Sequence, residues 1–218
     1  MKKYYFKEDN QSNWIVDIYN KYIPYKEDGF LVEIGVGHTI KGVDKFLPKE
    51  LVNFTRCMSN TADLLDIGWS GIYIDPVSEY CEEAKICHKD NLARLKIVNL
   101  GASNQKSELQ LYLGDSFIPN NYGTLGYDWI GRKVEIDITS EILKRANCPK
   151  KIDIMSIDVE GYELEVIKGI DFSIHEPSII ILEIDKISIS RINETLPSSY
   201  VHITNDTLNG VWLLKSLI

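Results

Sequence analysis

The sequence predicts an α/β fold in which a mostly parallel sheet is covered by helices on both faces. Three observations predict it. Short apolar runs alternate with stretches of helical periodicity for most of the chain, the pattern of strand–helix–strand units. Several of those runs stop at Gly, Asp or Pro, as buried strands do where they meet turns. The most apolar and β-branched run, Ser178 to Ile184, reads as a central strand.

The elements follow in order. Trp14, Ile15, Ile18 and Tyr22 recur at near-helical spacing, so Asn13 to Tyr22 is a leading helix. Phe30 to Ile34 is a buried strand that meets a tight turn at Gly35. Ser59-Asn60-Thr61 precedes Ala62 to Leu65 as a helix cap precedes its helix. Gly71 to Asp75 is a second strand, stopped by Pro76, and Glu79 to Lys89 is helical in composition. Leu95 to Asn99 is a third strand. Leu109 to Leu113 alternates and suits a half-exposed extra strand, and Val134 to Asp137 suits another short one. Asn120 to Gly131, rich in Gly, Asn and aromatics, reads as an ordered loop. Thr139 to Ala146 is a helix, Ile152 to Ile157 a buried strand, and Glu163 to Lys168 a helix closed by Gly169. Tyr200 to Thr204 and Val211 to Leu214, joined by Asn205 to Gly210, form a terminal hairpin that adds an antiparallel element at one edge.

At 218 residues the chain suits one domain, with residues 1–29 as a leading helical segment and 41–57 as an inserted loop. The formal charge of -8 makes phosphate-rich partners unfavourable, so neither nucleic acid nor an anionic membrane surface is expected. Cys57, Cys81, Cys87 and Cys148 match no zinc spacing and read as free thiols. No signal peptide follows Met1-Lys2-Lys3 and no apolar run is long enough to span a bilayer, so the expected location is cytoplasmic. A homodimer is compatible with all of this.

Val32-Glu33-Ile34-Gly35-Val36-Gly37 sits where the first strand ends. Glycine there lets the backbone turn sharply and leaves room for a ligand. The dinucleotide fingerprint asks for a third glycine three residues after Gly37, where Ile40 stands, so a cofactor without a pyrophosphate fits better. Asp75 ends the second strand and can accept hydrogen bonds from both hydroxyls of a ribose. It lies nearly twice as far beyond Gly37 as the usual spacing of about 20 residues, an excess assigned to the loop 41–57.

The most specific stretch is Ile152-Asp153-Ile154-Met155-Ser156-Ile157-Asp158-Val159-Glu160-Gly161-Tyr162-Glu163, continuing to Lys168-Gly169. A buried strand delivers Asp158 to its C-terminal end, where carboxylates are costly unless paired or used. This segment resembles the most diagnostic part of the FkbM family of S-adenosylmethionine (SAM)-dependent methyltransferases. The stretch from Ser59-Asn60-Thr61 through Gly68-Trp69-Ser70-Gly71-Ile72-Tyr73-Ile74-Asp75-Pro76, and Pro177 to Asp185 with Glu183, are similar to two further blocks of that family. The resemblance runs from about Phe30 to Leu214. It implies a Rossmann-like, seven-stranded class I methyltransferase sheet with its last strand antiparallel. It also implies SAM as cofactor, and a hydroxyl of a sugar, glycan or related small molecule as acceptor. Carried over residue by residue, Glu33, Gly35, Gly37 and Asp75 would contact SAM, Ala102 would neighbour the adenine, and Asp158 would lie near the methionine end or the acceptor.

Methyl transfer to oxygen needs alignment and a place for the proton. Asp158 and Glu160 are the expected bases. Asp158, Glu160 and Glu183 offer hard oxygens that could instead hold a divalent cation. His38, next to the glycine turn, and His175 are further candidate bases. Glu160 and Glu163 could also simply favour a helix N-terminus through its dipole. Tyr122, Tyr127 and Trp129 could stack on a sugar or pin their loop to the core. Two other readings remain: a nicotinamide oxidoreductase, weakened by the missing glycine, and a non-catalytic nucleotide-binding module, weakened by the intact glycine turn and Asp75.

Overall fold

The computed structural model describes residues 2–4, 13–36, 59–112 and 131–218. A seven-stranded sheet runs through it in the order β3-β2-β1-β7-β8-β10-β9. The strands are β1 (Phe30–Ile34), β2 (Ser70–Asp75), β3 (Leu95–Asn99), β7 (Lys151–Ile157), β8 (Glu176–Glu183), β9 (Tyr200–Asn205) and β10 (Asn209–Leu214). The first five are parallel to one another, and β10 pairs antiparallel with both β8 and β9. This is the expected mostly parallel α/β sheet with an antiparallel hairpin at one edge.

Side chains of the central strands alternate between two apolar layers, because successive residues of a strand point to opposite faces. Leu31, Tyr73, Ile154, Ile179 and Ile181 face one layer with Ile18 and Tyr19 of α1 (Asn13–Tyr22), Leu64 and Leu65 of α2 (Ala62–Asp66), and Ala84 of α3 (Ser78–Cys87). Val32, Ile34, Ile72, Met155, Ile157 and Ile180 face the other. There they meet Ile142 and Leu143 of α4 (Thr139–Arg145), Leu164 and Ile167 of α5 (Glu163–Lys168), and Ile192 of α6 (Ile189–Thr195). Both faces are therefore sealed by helices, which is why β7 and β8 are apolar almost throughout.

Three features depart from the sequence reading. The extra strands β5 (Ser107–Tyr112) and β6 (Gly131–Ile138) pair antiparallel, and β4 (Gly101–Ser103) joins β6 in parallel to make a separate three-stranded sheet. Helix α6 was not foreseen; it is short and is capped by the Ser188 hydroxyl, which accepts from the Arg191 amide. His175 is buried at the start of β8, at the opposite end of that strand from Glu183. At about 3.3 Å per residue the two are separated by more than roughly 20 Å, so His175 is no base for chemistry at Glu183's end. The loop 41–57, Gly37, His38, Cys57, Tyr122, Tyr127 and Trp129 lie outside the described residues. Cys81, Cys87 and Cys148 carry free thiols, as expected. No described helix is long and apolar enough to cross a membrane.

Candidate functional site

The chain leaves β1 toward β2 and β3, then returns to the other side of β1 to lay down β7 and β8. The strand order therefore reverses between β1 and β7, and in open α/β sheets the crevice that takes ligands lies at such a point, beyond the strands' carboxyl ends. Register decides which residues line that edge. Ile34 stands opposite Ile74 and Ile157, and Ile157 stands opposite Leu182. One residue further on, Gly35, Asp75, Asp158 and Glu183 fall into one row, which Asn99 and Asn209 extend to either side.

Gly35 adopts φ +84, in the left-handed region, and donates its amide to the Ile74 carbonyl at 2.9 Å. A Cβ here would stand 1.6 Å from the Asp158 carbonyl oxygen. The β1 and β7 turns thus touch backbone to backbone, and the glycine is required on both conformational and steric grounds. Asp75 is buried, and its two carboxylate oxygens accept the amides of Val36 at 3.0 Å and Val77 at 2.8 Å. It ties the glycine turn to the end of β2, which holds the two strand ends at a fixed distance.

Across the row lies the acidic cluster. Carboxylate oxygens of Asp158, Glu160 and Glu183 all lie within 4.8 Å of one another, the only such triplet of His, Cys, Asp or Glu among the described residues. Burial raises the pKa of Asp158, and the charges of Glu160 and Glu163 raise it further. Burial likewise raises Glu183, with Asp158 and Glu160 adding to the effect. Two adjoining carboxyls of this kind hold a shared proton where isolated ones would both be ionised. Glu163 is 1% exposed, and its Oε1 accepts the amides of Val159 at 3.0 Å and Gly161 at 3.1 Å. Those two bonds fold Asp158 to Gly161 into a turn with Glu160 at φ 59. In an extended strand Asp158 and Glu160 would share a side, because successive residues alternate. The strand in fact ends at Ile157, and a left-handed turn brings the two carboxylates together.

Glu33 lies one layer deeper. It is 4% exposed and accepts hydrogen bonds from the hydroxyls of Ser59, at 2.6 Å, and Thr61. The Ser59 hydroxyl in turn accepts the amides of Thr61 and Ala62, so Ser59 rather than Thr61 caps α2. Tyr19 donates to the Asn60 carbonyl and Asn60 to the Ser156 hydroxyl, which pins the same segment over β1 and β7. Held by the Ser59 and Thr61 hydroxyls, Glu33 shapes the floor beneath the glycine turn. Ala102 sits in β4 with its methyl in the main core.

Burial pushes the Glu33 carboxyl up from 4.5 to about 7, with its hydroxyl donors opposing the shift. A folded value above the unfolded one means that the contribution is fully present below pH 4.5 and lost as pH rises through about 7. The expected loss is about 3 kcal/mol. Urea unfolding at pH 5 and pH 8 should therefore show Glu33→Gln gaining on the wild type at the higher pH. An unchanged difference between the two would remove Glu33 as the source.

Sequence reasoning overlooked Ser59 as a donor to Glu33, Glu163 as the acceptor of two turn amides, and Lys186, whose ammonium pairs with Glu160. The signal for Glu163 was present, since a second glutamate three residues beyond Glu160 can bend back onto its own turn.

Comparisons with known proteins identify a family and a fold. The model of the methyltransferase FkbM domain family matches residues 41–207. Similar solved structures include a methyltransferase FkbM from Methylobacillus flagellatus KT, 14% identical over 88% of this chain with a TM-score of 0.50. Another is a fibrillarin pre-rRNA processing protein from Methanococcus jannaschii, 12% identical over 93% of this chain and 75% of its own, with a TM-score of 0.47. The chain spans 44% of the length of the Methylobacillus structure. No curated protein matches the sequence.

Proposed function

The chain belongs to the FkbM methyltransferase family, and on that premise we propose that it methylates a hydroxyl oxygen of a sugar, glycan or related small molecule. The family implies SAM, whose sulfonium supplies an electrophilic methyl group when bound. The residues present suit it: a glycine turn with no room for a side chain, at the point where the strand order reverses, and a carboxylate on the neighbouring strand end. Asp75 would hold the ribose hydroxyls while keeping the turn amide of Val36. Gly37, directly after that turn, and the backbone near Ala102 would complete the nucleoside side of the crevice.

The observation that carries the reading is the carboxyl pair of Asp158 and Glu183 on the far side of the same crevice, both with raised pKa. A hydroxyl is a poor nucleophile until its proton has somewhere to go. A carboxylate whose basicity has been raised by burial is matched to taking that proton. Asp158 would accept it while the acceptor oxygen attacks the methyl carbon. Glu183 would share the proton, and Glu160 would hold the local charge balance. A divalent cation on the oxygens of Asp158, Glu160 and Glu183 is the second reading, favoured by their mutual proximity. The acid-rich composition, with a net charge of -8, supports a neutral acceptor over nucleic acid.

Incubating the protein with SAM and panels of sugars, sugar nucleotides and glycans, then scanning for the mass gain of one methyl group, tests the acceptor class. Salt-sensitive binding to RNA or DNA at physiological ionic strength would contradict it. Calorimetric titration with SAM and NAD separates methyl transfer from hydride transfer. Asp75→Ala should weaken SAM binding by about 1.5–3 kcal/mol, the worth of hydrogen bonds to a charged group. An unchanged affinity would take Asp75 out of the cofactor site.

A further inference from the structure

The acidic cluster has a basic neighbour of its own. Lys186 stands three residues beyond Glu183, the last residue of β8. Its ammonium pairs with the Glu160 carboxylate. Among the described residues this is the only ion pair made by Asp158, Glu160, Glu163 or Glu183. The lysine stem is also placed. Its Cδ and Cβ lie 3.3 and 3.7 Å from where a Cβ on Gly161 would stand. Gly161, at φ +101, therefore leaves open the face on which the stem rests.

The turn beneath it is fixed rather than fortuitous. Glu160 at φ 59 sits in a region that costs an L-residue about 1–2 kcal/mol. The two amides accepted by the buried Glu163 carboxylate hold it there. That conformation aims Glu160 at Asp158 and Glu183 on one side and at Lys186 on the other. Three carboxylate groups with oxygens within 4.8 Å repel one another unless a cation or protons intervene. A hard divalent ion is one remedy. An ammonium with three N–H donors on a flexible stem is another.

We propose that Lys186 is the built-in cation of this cluster, occupying the role of a divalent ion, so that the site works without metal. The proposal rests on reading the cluster as the methyl-transfer site, but its test does not use turnover. MnCl2 is titrated calorimetrically into the wild-type chain and into Lys186→Met. The wild type is expected to give no binding tighter than about 1 mM. Lys186→Met should bind at about 10⁻⁴ M or tighter, within the range that ligand charge tunes at oxygen sites. Lys186→Met combined with Glu160→Gln should lose that gain, which assigns the ion to the cluster. Lys186→Arg keeps the charge and should behave as wild type, and Lys186→Gln, which removes the charge but keeps a polar stem, carries the comparison if the methionine variant does not fold.

Wild-type binding as tight as that of Lys186→Met would overturn the proposal, as would a folded Lys186→Met that gains no affinity. So would wild-type binding well below about 1 mM by itself. A failed acceptor screen, or near-normal turnover in both Asp158→Asn and Glu160→Gln, would sink the reading of the reaction and leave the manganese result intact. The two failures are therefore distinguishable.

Discussion

Asp158→Asn is expected to lower turnover by about 10²–10⁴-fold, the usual worth of a general base, with no loss of fold stability. The second half of that expectation comes from the cluster itself. Asp158 is crowded by Glu160, Glu163 and Glu183, and both burial and those charges disfavour its ionised form. Asparagine has nearly the same shape, carries no charge, and can donate its amide to Glu183, so the substitution relieves repulsion in the folded state. Turnover is measured with any acceptor that the wild type methylates, and stability by urea unfolding. SAM affinity should change little, because Asp75 and the glycine turn stand on the other side of the crevice. Near-normal turnover in both Asp158→Asn and Glu160→Gln would remove the base from this cluster.

The largest structural effect is expected from Gly35→Ala. A methyl group at this position would stand 1.6 Å from the Asp158 carbonyl oxygen, which belongs to backbone and cannot rotate aside. Relief requires the β1 and β7 turns to separate, breaking the hydrogen bond from the Asp158 amide to the Ile34 carbonyl and straining the one from the Gly35 amide to Ile74 on the other side of β1. The φ of +84 adds the left-handed penalty of about 1–2 kcal/mol. Overpacking adds about 1–3 kcal/mol more. The sum is a large share of a total stability of about 5–15 kcal/mol. Urea unfolding of the alanine variant should show a midpoint far below the wild type, and SAM binding should fall with it as the crevice deforms. A variant within about 0.5 kcal/mol of wild type, the range of ordinary surface changes, would mean that the turn has a second accessible conformation.

Much of this was legible in the residues. Each buried strand announced itself, because a chain crossing a two-sided sheet must be apolar for its whole length, and a polar residue at its end marks where the crossing stops. That locates Gly35, Asp75 and Asp158 at strand ends without a structure, whereas Glu183 read as a residue inside the strand from Ser178 to Ile184. The family resemblance of the stretch around Asp158 then pointed to methyl transfer, which the family match bears out.

The tertiary structure decided how those strand ends meet. Register between strands far apart in sequence sets Gly35, Asp75, Asp158 and Glu183 in one row, and no local pattern specifies register. It also placed His175 at the far end of β8, although in sequence it lies nearer to Glu183 than Asp158, Glu160 or Glu163 does. The meeting of Asp158 and Glu160 depended on a left-handed turn held by Glu163, where strand alternation would have given the same answer for the wrong reason. Lys186 reached Glu160 across a sequence separation of 26. A surface lysine carries no sequence signal of its partner, because its charge is satisfied equally well by water until the fold brings a carboxylate within reach.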